Sequence, residues 1–480
     1  MSTQFYERIS DGEFEDDDSA ARYFFGEEVT ASDRRYKSLK KRFYDRLVNT
    51  VFFIDASKSN LSDYQQAYYN SIKKVTAAEI LFKRGQPKVA VNILKKCLPK
   101  IEKFEFFELK LKTYKLFKLY YGFKNFNLKA FDKYSEEIKR LKRVIEIEET
   151  AVNLHVRAQL SFVQDRTDFE QHYLISSSYF NQLSEYIGTD CDTVNFQFHI
   201  RSLELMMYNA KRELEKEVAT CERAIESFKS RAYYNPTHIF NFSIEKSAAC
   251  LQLGRYEDGV FAAEEAVNNA ITVTSYLRGL FFKLLNYLHT GAFDLACKVL
   301  QKAENSNSLK KAPENIQEEW RIANGYIQFL IEAGQLEKVQ NEKNNKFRIN
   351  KLINDLPQFS KDKRSTNIPI LVLQILFFIV RQDFDQSAER MRAVDRYNSR
   401  YLLKDNTFRS NCFVKMLLCV LDANFNRVAA ERKAKKYVKR LHEMPITAVK
   451  QNYETEYVPY EKLWEIVVSL LDNSHYLVRR

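Results

Sequence analysis

From Asp33 onward, apolar residues recur at intervals of three and four, first in Tyr36 to Phe53, then in Tyr64 to Phe82 and Val89 to Phe104. That spacing puts them on one face of a 3.6-residue helix, whereas the period-two alternation of strands is essentially absent. The apolar runs are separated by short polar breaks: KRGQP, GFKNFN, QLGRYED, HTGAF, EAGQ, RQDFD and DANFN. Helices of ordinary length joined by such breaks pack side by side, so the pattern predicts an all-α chain of antiparallel helix hairpins. The longest apolar run, Ile368 to Val380, has 13 residues, includes Gln374 and stops at Arg381. A membrane span needs about 20, so the run predicts a buried helix with Pro369 in its first turn. Residues 1–32 lack a helix-length apolar pattern and are expected to form an acidic, mobile tail. Residues 33–345 then read as a helical repeat array, 346–366 as a polar, basic insertion, and 367–480 as further helical repeats. Within the insertion, Phe347, Ile349, Leu352, Ile353 and Leu356 make one short amphipathic stretch.

The breaks share a set of offsets. Ala78 and Leu81 precede Gly85, and Ala90, Leu94 and Cys97 follow it. Ser247 and Cys250 precede Gly254, with Tyr256, Gly259, Ala263 and Ala266 after it; Leu284 and Tyr287 precede Gly291, with Phe293, Ala296, Leu300 and Ala303 after it. Around Gly334 the pattern reduces to Ile327, Leu330, Leu336 and Val339, and at Gln382 and Ala423 the spacing persists without glycine. A glycine supplies the left-handed turn that ends a helix. An aromatic two positions on wedges between the helices, and a small residue five positions on permits their close approach. Each hairpin is left with an apolar face that the next hairpin covers, which is the logic of a stacked repeat.

These residues resemble the tetratricopeptide repeat family, most closely its large, divergent bacterial members. The resemblance is carried by the turns at Gly85, Gly254 and Gly291, is weaker at the three later turns, and is absent over residues 140–230. The intervals from Gly254 to Ala423 are 37, 43, 48 and 41 residues, longer than the family's 34. The resemblance implies an irregular α-solenoid with a right-handed superhelix, in which the first helix of each hairpin lines a concave groove. Counted back from the glycines, Asn241, Gln252, Arg278, His289, Arg321, Asn324 and Gln328 would line it and would grip a carboxylate or a peptide backbone.

Composition agrees with helix: only 11 Gly and 8 Pro occur in 480 residues, far below average usage of roughly 7% and 5%. The net charge of +12 is uneven, because residues 1–28 hold nine acids and two bases, a balance of −7 that leaves +19 on the remaining 452. Basic residues crowd one stretch, Arg427, Arg432, Lys433, Lys435, Lys436, Lys439 and Arg440, opposite an apolar stripe of Ala430, Ala434, Tyr437 and Leu441. Smaller clusters are Lys37, Lys40, Lys41, Arg42 and Arg46, and Lys361, Lys363 and Arg364. Such patches either solvate the outer faces of helices or neutralise phosphates.

Seven cysteines are scattered with no C-x-x-C pair, and the N-terminus has neither a basic start nor an apolar stretch, which together point to a reducing cytoplasm. No H-E-x-x-H pair, glycine-rich phosphate loop or G-x-S-x-G elbow is present; after Gly254 and Gly259, Val260 stands where a phosphate-binding Lys would be. Asp190 and Asp192 read as caps of the helix that starts near Thr193. The sequence therefore predicts no catalytic site, metal or cofactor. The expected function is a cytoplasmic scaffold that binds a protein or peptide in its groove. The alternative is a nucleic-acid-associated repeat protein using Arg432, Lys433, Lys435, Lys436, Lys439 and Arg440.

Overall fold

The computed structural model describes residues 2–51, 61–164, 168–231, 233–306, 308–337, 364–381, 408–446 and 456–472. Among them the regular structure is entirely helical, and the chain divides into two compact units, residues 1–142 and 143–480.

The first unit opens with α1 (Ser2–Ser10), α2 (Asp17–Phe25) and α3 (Arg34–Val51), which bury Phe5, Ala20, Ala21, Tyr36 and Leu39 together. Residues 1–32, expected to form an acidic, mobile tail, thus contribute two helices to this unit. Four of the nine acids there, Glu13, Asp16, Asp17 and Asp18, cap or pair. Asp16 caps α2 by accepting the Ser19 amide at 2.7 Å, where negative charge also meets the positive end of the helix dipole. Asp17 accepts the Tyr36 hydroxyl at 2.8 Å and pairs with Lys40. The apolar contacts come from rings, with Phe5 edge-on to Phe24, Tyr36 and Phe43. Next come α4 (Asp63–Lys83), α5 (Pro87–Lys103) and α6 (Phe107–Phe123), with α5 packed on α4 and α6 on both. The boundary between the units falls inside α7 (Leu128–Gln164).

The second unit continues with α8 (Phe169–Ser184), α9 (Val194–Lys211), α10 (Leu214–Ser230), α11 (Pro236–Leu253), α12 (Tyr256–Asn268), α13 (Val273–Thr290) and α14 (Phe293–Asn305). After the short α15 (Ser308–Lys311) come α16 (Glu314–Glu332), α17 (Arg364–Val380), α18 (Phe408–Asp422), α19 (Arg427–Glu443) and α20 (Tyr460–Asp472). From α8 to α14 each helix packs on its sequence neighbour, α18 packs on α19, and α11 also touches α13. That last contact joins the first helices of consecutive hairpins, as stacking requires. The helix α17 is buried along Ile368–Phe377 as expected, but it begins at Arg364, so Pro369 lies in its second turn. Of the expected insertion at 346–366, only Arg364–Thr366 lies within the described residues, and it belongs to α17; the turn expected at Gln382 also lies outside them.

The four turn glycines, Gly85, Gly254, Gly291 and Gly334, all have positive φ, between 72° and 80°. At Gly254 the Arg255 amide reaches back to the Cys250 carbonyl at 2.9 Å, which satisfies a carbonyl left open at the end of α11. The small residue five positions on is the tighter constraint. A Cβ on Gly259 would lie 2.1 Å from Oδ1 of Asn286 on α13. Asn286 cannot step aside freely, because its amide donates to Ser247 Oγ (3.2 Å) and to the Phe282 carbonyl (2.9 Å). The turn after α18 is two residues longer, with Asn424 and Phe425 at positive φ. Counted from Ala423, the fifth position is therefore Val428, which is exposed, and the buried small residue is Ala430.

The hairpin of α9 and α10 falls where the sequence pattern is silent, because its left-handed turn residue is Arg212 (φ 59°) rather than glycine. Five positions after it, where Ala90, Gly259 and Ala296 stand in other hairpins, is Glu217. It is 5% exposed, Oε2 meets Asn209 Nδ2 at 3.5 Å, and Oε1 has no partner among the described residues. Burial, reinforced by the charge of Glu245, pushes its pKa up to about 7, against the smaller pull of Asn209 and Arg212. Its folded pKa thus lies above the unfolded value of about 4.3, so the unfolded chain gives up this proton first, and stability falls as pH rises through that window.

Two outcomes follow from this register. Replacement Gly259→Ala should lower stability by about 1–3 kcal/mol by forcing Asn286 out of place, read as a lower urea midpoint at unchanged slope. Replacement Glu217→Ala, which restores the small residue, should raise stability by up to about 3 kcal/mol at pH 8. That gain should shrink towards zero below pH 4.5, and a gain independent of pH would exclude the carboxylate as its cause.

Candidate functional site

The residues expected to line a groove separate into two rows. Asn241, Arg278 and Arg321 each stand thirteen positions before a turn glycine, on α11, α13 and α16, and all three are half-exposed. Asn324 and Gln328, also half-exposed, continue along α16. The guanidinium of Arg278 meets the Glu319 carboxylate at 3.3 Å and lies 5.1 Å from the centre of the Phe282 ring. Arg321 pairs with Glu314, and Asn324 donates to Glu304 at 3.0 Å. These side chains are held in place yet remain in reach of solvent.

The row two positions before each glycine is different. Gln252 is buried and accepts from Arg212 at 2.8 Å. His289 is buried and its Nε2 lies 2.8 Å from the Glu456 carbonyl oxygen. Because a carbonyl only accepts, Nε2 carries the proton, and burial pushes the pKa of this ring down. Glu332, at the same offset from Gly334, holds Arg381 through two bonds of 2.6 and 2.8 Å. Gln252 and His289 are therefore not open groove lining, as the sequence suggested; each fastens its hairpin to another part of the chain.

What His289 fastens is the segment leading into α20. Residues Glu456 to Pro459 run without helix across α13 and α16, and Tyr457 enters between them. Its ring stacks on Tyr326 (5.2 Å, 8°) and stands edge-on to Phe281 (5.9 Å, 84°), while its hydroxyl donates to the Glu319 carbonyl at 3.3 Å. Tyr460 stacks on Phe413 at 4.6 Å, with its hydroxyl 2.9 Å from Ser410.

Arg409 of α18 closes the arrangement. It is 2% exposed and donates to Glu456 (2.7 and 3.0 Å), to Glu461 (2.8 and 3.0 Å) and to the carbonyls of Leu441 and Met444 at the end of α19. Burial works against its charge, but the bonds and fields of the two carboxylates outweigh that and raise its pKa. A cavity of about 690 Å³ opens beside the cluster, lined among others by Tyr256, His289, Phe293, Arg409, Pro459 and Glu461.

The basic stretch forms most of α19. Ala430, Ala434 and Leu441 are buried against its neighbours, and Arg432, Lys433, Lys435, Lys436, Lys439 and Arg440 are all exposed. With seven bases against Glu431 and Glu443, the helix carries +5. Lys439 meets Glu443 only at 3.7 Å, and Lys436 lies 4.8 Å from the centre of the Tyr437 ring.

One cluster had no sequence signal. His155 of α7, His199 of α9 and His238 of α11 converge, with His155 and His199 hydrogen-bonded through Nδ1 atoms 2.9 Å apart. Phe198 stacks on His238 at 4.3 Å. Burial lowers the pKa of His155 and His238 to about 4; burial and the neighbouring rings lower that of His199 to about 3. These are neutral interior histidines, and among the described residues no group of three or more His, Cys, Asp or Glu is placed to hold a metal ion. All seven cysteines are buried and unpaired, and among the described residues no helix is long and apolar enough to cross a membrane. Compared with protein-family models, curated proteins and solved structures, the chain matches none.

Removing one partner from a buried ion pair strands the other charge. Replacement Arg409→Met should therefore cost about 3–5 kcal/mol, seen as an earlier urea transition. The triple replacement Arg409→Met, Glu456→Leu and Glu461→Leu, which removes all three charges, should recover most of that loss.

Proposed function

We propose that the chain is a non-catalytic scaffold that binds a protein or peptide across the first helices of its stacked hairpins. One observation carries this reading: the repeat position held by Asn241, Arg278 and Arg321 stays half-exposed on three successive first helices, while most of its apolar surroundings are buried. A periodic row of donors spaced by the hairpin stack suits an extended chain, whose carbonyls and carboxylates also recur at intervals. The pairs to Glu319 and Glu314 restrict the two guanidinium groups before any partner arrives, which lowers the ordering cost of binding. In this reading the row faces inward on a right-handed superhelix, and the protein works in the cytoplasm, which suits seven unpaired cysteines.

The +5 face of α19 supports a second reading, attachment to nucleic acid through phosphate contacts. The two are separated by affinity capture from native host lysate using wild-type protein and the double variant Arg278→Ala, Arg321→Ala, with and without nuclease. The scaffold reading expects a protein partner that survives nuclease and falls at least tenfold with the variant. Equal recovery by the variant rejects it. Recovery that collapses with nuclease, and binding that weakens steeply with salt, would assign the function to α19.

A further inference from the structure

We infer that the turn between α6 and α7, together with the turn between α4 and α5, is a docking surface for an anionic lipid bilayer. Phe123, Phe126 and Leu128 enter the interface of the bilayer, and the bases beside them meet its headgroups. The inference goes beyond the scaffold reading and does not rest on it, because it concerns the first compact unit alone.

The tip is apolar where folding gives no reason for it. Phe123, Phe126 and Leu128 are 70, 81 and 73% exposed, and Leu119, one turn back along α6, is exposed as well. The backbone closes the turn by itself, through the Asn125 amide to the Tyr120 carbonyl and the Asn127 amide to the Tyr121 carbonyl, both at 2.9 Å. Asn127 also caps α7 by accepting the Ala130 amide at 3.0 Å. Phe126 takes the left-handed conformation, φ 53°, where the turns at Gly85, Gly254 and Gly291 use glycine. That region disfavours a side chain, and here no burial of the ring offsets the cost. Beneath the tip the helices are locked together. Tyr121 stacks on Tyr134 at 5.7 Å and 12°, and a Cβ on Gly122 would come within 3.1 Å of the Phe131 ring.

The charge around the tip has one sign. Residues 80–101 and 109–131 hold twelve Lys or Arg and no Asp or Glu. Because α6 packs on both α4 and α5, and Glu102 near the end of α5 accepts the Tyr114 hydroxyl from the first half of α6, α5 and α6 run antiparallel. The α4–α5 and α6–α7 turns therefore share one end of the unit. That end presents Arg84, Lys88, Lys124 and Lys129, all exposed and without an ion pair among the described residues. The start of α4 lies at the opposite end, 21 residues away, or about 30 Å.

Apolar side chains on a projecting turn, flanked by cations, suit an interfacial anchor: the rings reach the acyl boundary and the cations attract anionic headgroups. A fluid bilayer needs no preformed pocket to receive such a tip, whereas a protein partner needs a matching cavity. Single-stranded nucleic acid would use the rings as stacking platforms, but Leu119 and Leu128 offer none, which favours lipid.

The test is cosedimentation of the full chain with extruded vesicles of phosphatidylcholine, alone or mixed equally with phosphatidylglycerol. Wild-type protein should bind the mixed vesicles at least tenfold more tightly than the neutral ones. The variant Phe123→Ser, Phe126→Asn, Leu128→Ser places asparagine where it tolerates the left-handed backbone. It should lose at least tenfold in affinity for the mixed vesicles, with helix content unchanged by circular dichroism. Mixed vesicles bound no better than neutral ones, or bound equally by the variant, overturn the proposal. Equal vesicle binding combined with lost binding of a single-stranded oligonucleotide would assign the tip to nucleic acid instead.

A single replacement reads insertion directly. Both native tryptophans, Trp320 and Trp464, are buried in the second unit. On mixed vesicles the emission of Phe126→Trp protein should move to the blue and be quenched by lipids brominated on the acyl chain, and wild-type emission should do neither. Emission of the bound variant that neither shifts nor is quenched means charge attraction without insertion and overturns the proposal.

Discussion

Arg409 is the constraint on which the C-terminal half depends. A buried guanidinium carries five N–H groups that must all find acceptors. Two carboxylates and two carbonyls supply them, and those acceptors come from four places: the last turn of α19, the residue just beyond it, the Glu456 segment and the start of α20. No one of these can move without stranding charge in the interior. A stack of hairpins needs something to cover its final apolar face, and here that cover is α20, with Leu463, Val467 and Leu471 buried. The ionic cluster fixes where the cover sits; the apolar residues supply the area. Area alone would tolerate several placements of an amphipathic helix, whereas the bond directions at Arg409 admit one.

The rest of the array depends on a contact of another kind, the close approach at the fifth position after each turn. Where that residue is Gly259, Ala296 or Ala90, the neighbouring helix comes near and the hairpins stack. At Glu217 a carboxyl group occupies the place and keeps much of its proton. The second unit therefore tolerates in one hairpin a residue that its own pattern argues against, at a cost set by pH.

The sequence was informative where conformation was tied to residue type. Glycines at positive φ marked four turns, and the offsets around them located the α4–α5, α11–α12 and α13–α14 hairpins. It was silent where a residue with a side chain adopts the same conformation, as Arg212, Asn424 and Phe425 do, so the α9–α10 hairpin and the true register after Asp422 went unread. It gave no sign of the two helices in the acidic N-terminus, where capping by Asp16 and pairing by Asp17 make charge a structural resource. The burial of His289 was invisible for a simpler reason: its partner, Glu456, lies 167 residues away. The histidine cluster joins three helices in the same manner. Periodicity describes one helix at a time and carries no information about what covers its face.

The two polar rows divide the labour of the surface. The position two residues before the turn glycine is buried and bonded within the chain at Gln252, by Arg212, and at His289, by Glu456, whereas Glu332 at the same offset is exposed and pairs with Arg381. The position thirteen before stays half-exposed in all three. In each hairpin the two lie at opposite ends of the same helix, 11 residues or about 16 Å apart. The end next to the turn is thus tied to other parts of the chain at Gln252 and His289, and the far end stays within reach of solvent. On the proposed scaffold reading, fastening one end of each helix would hold the other end ready for an extended chain and lower the ordering cost of binding it.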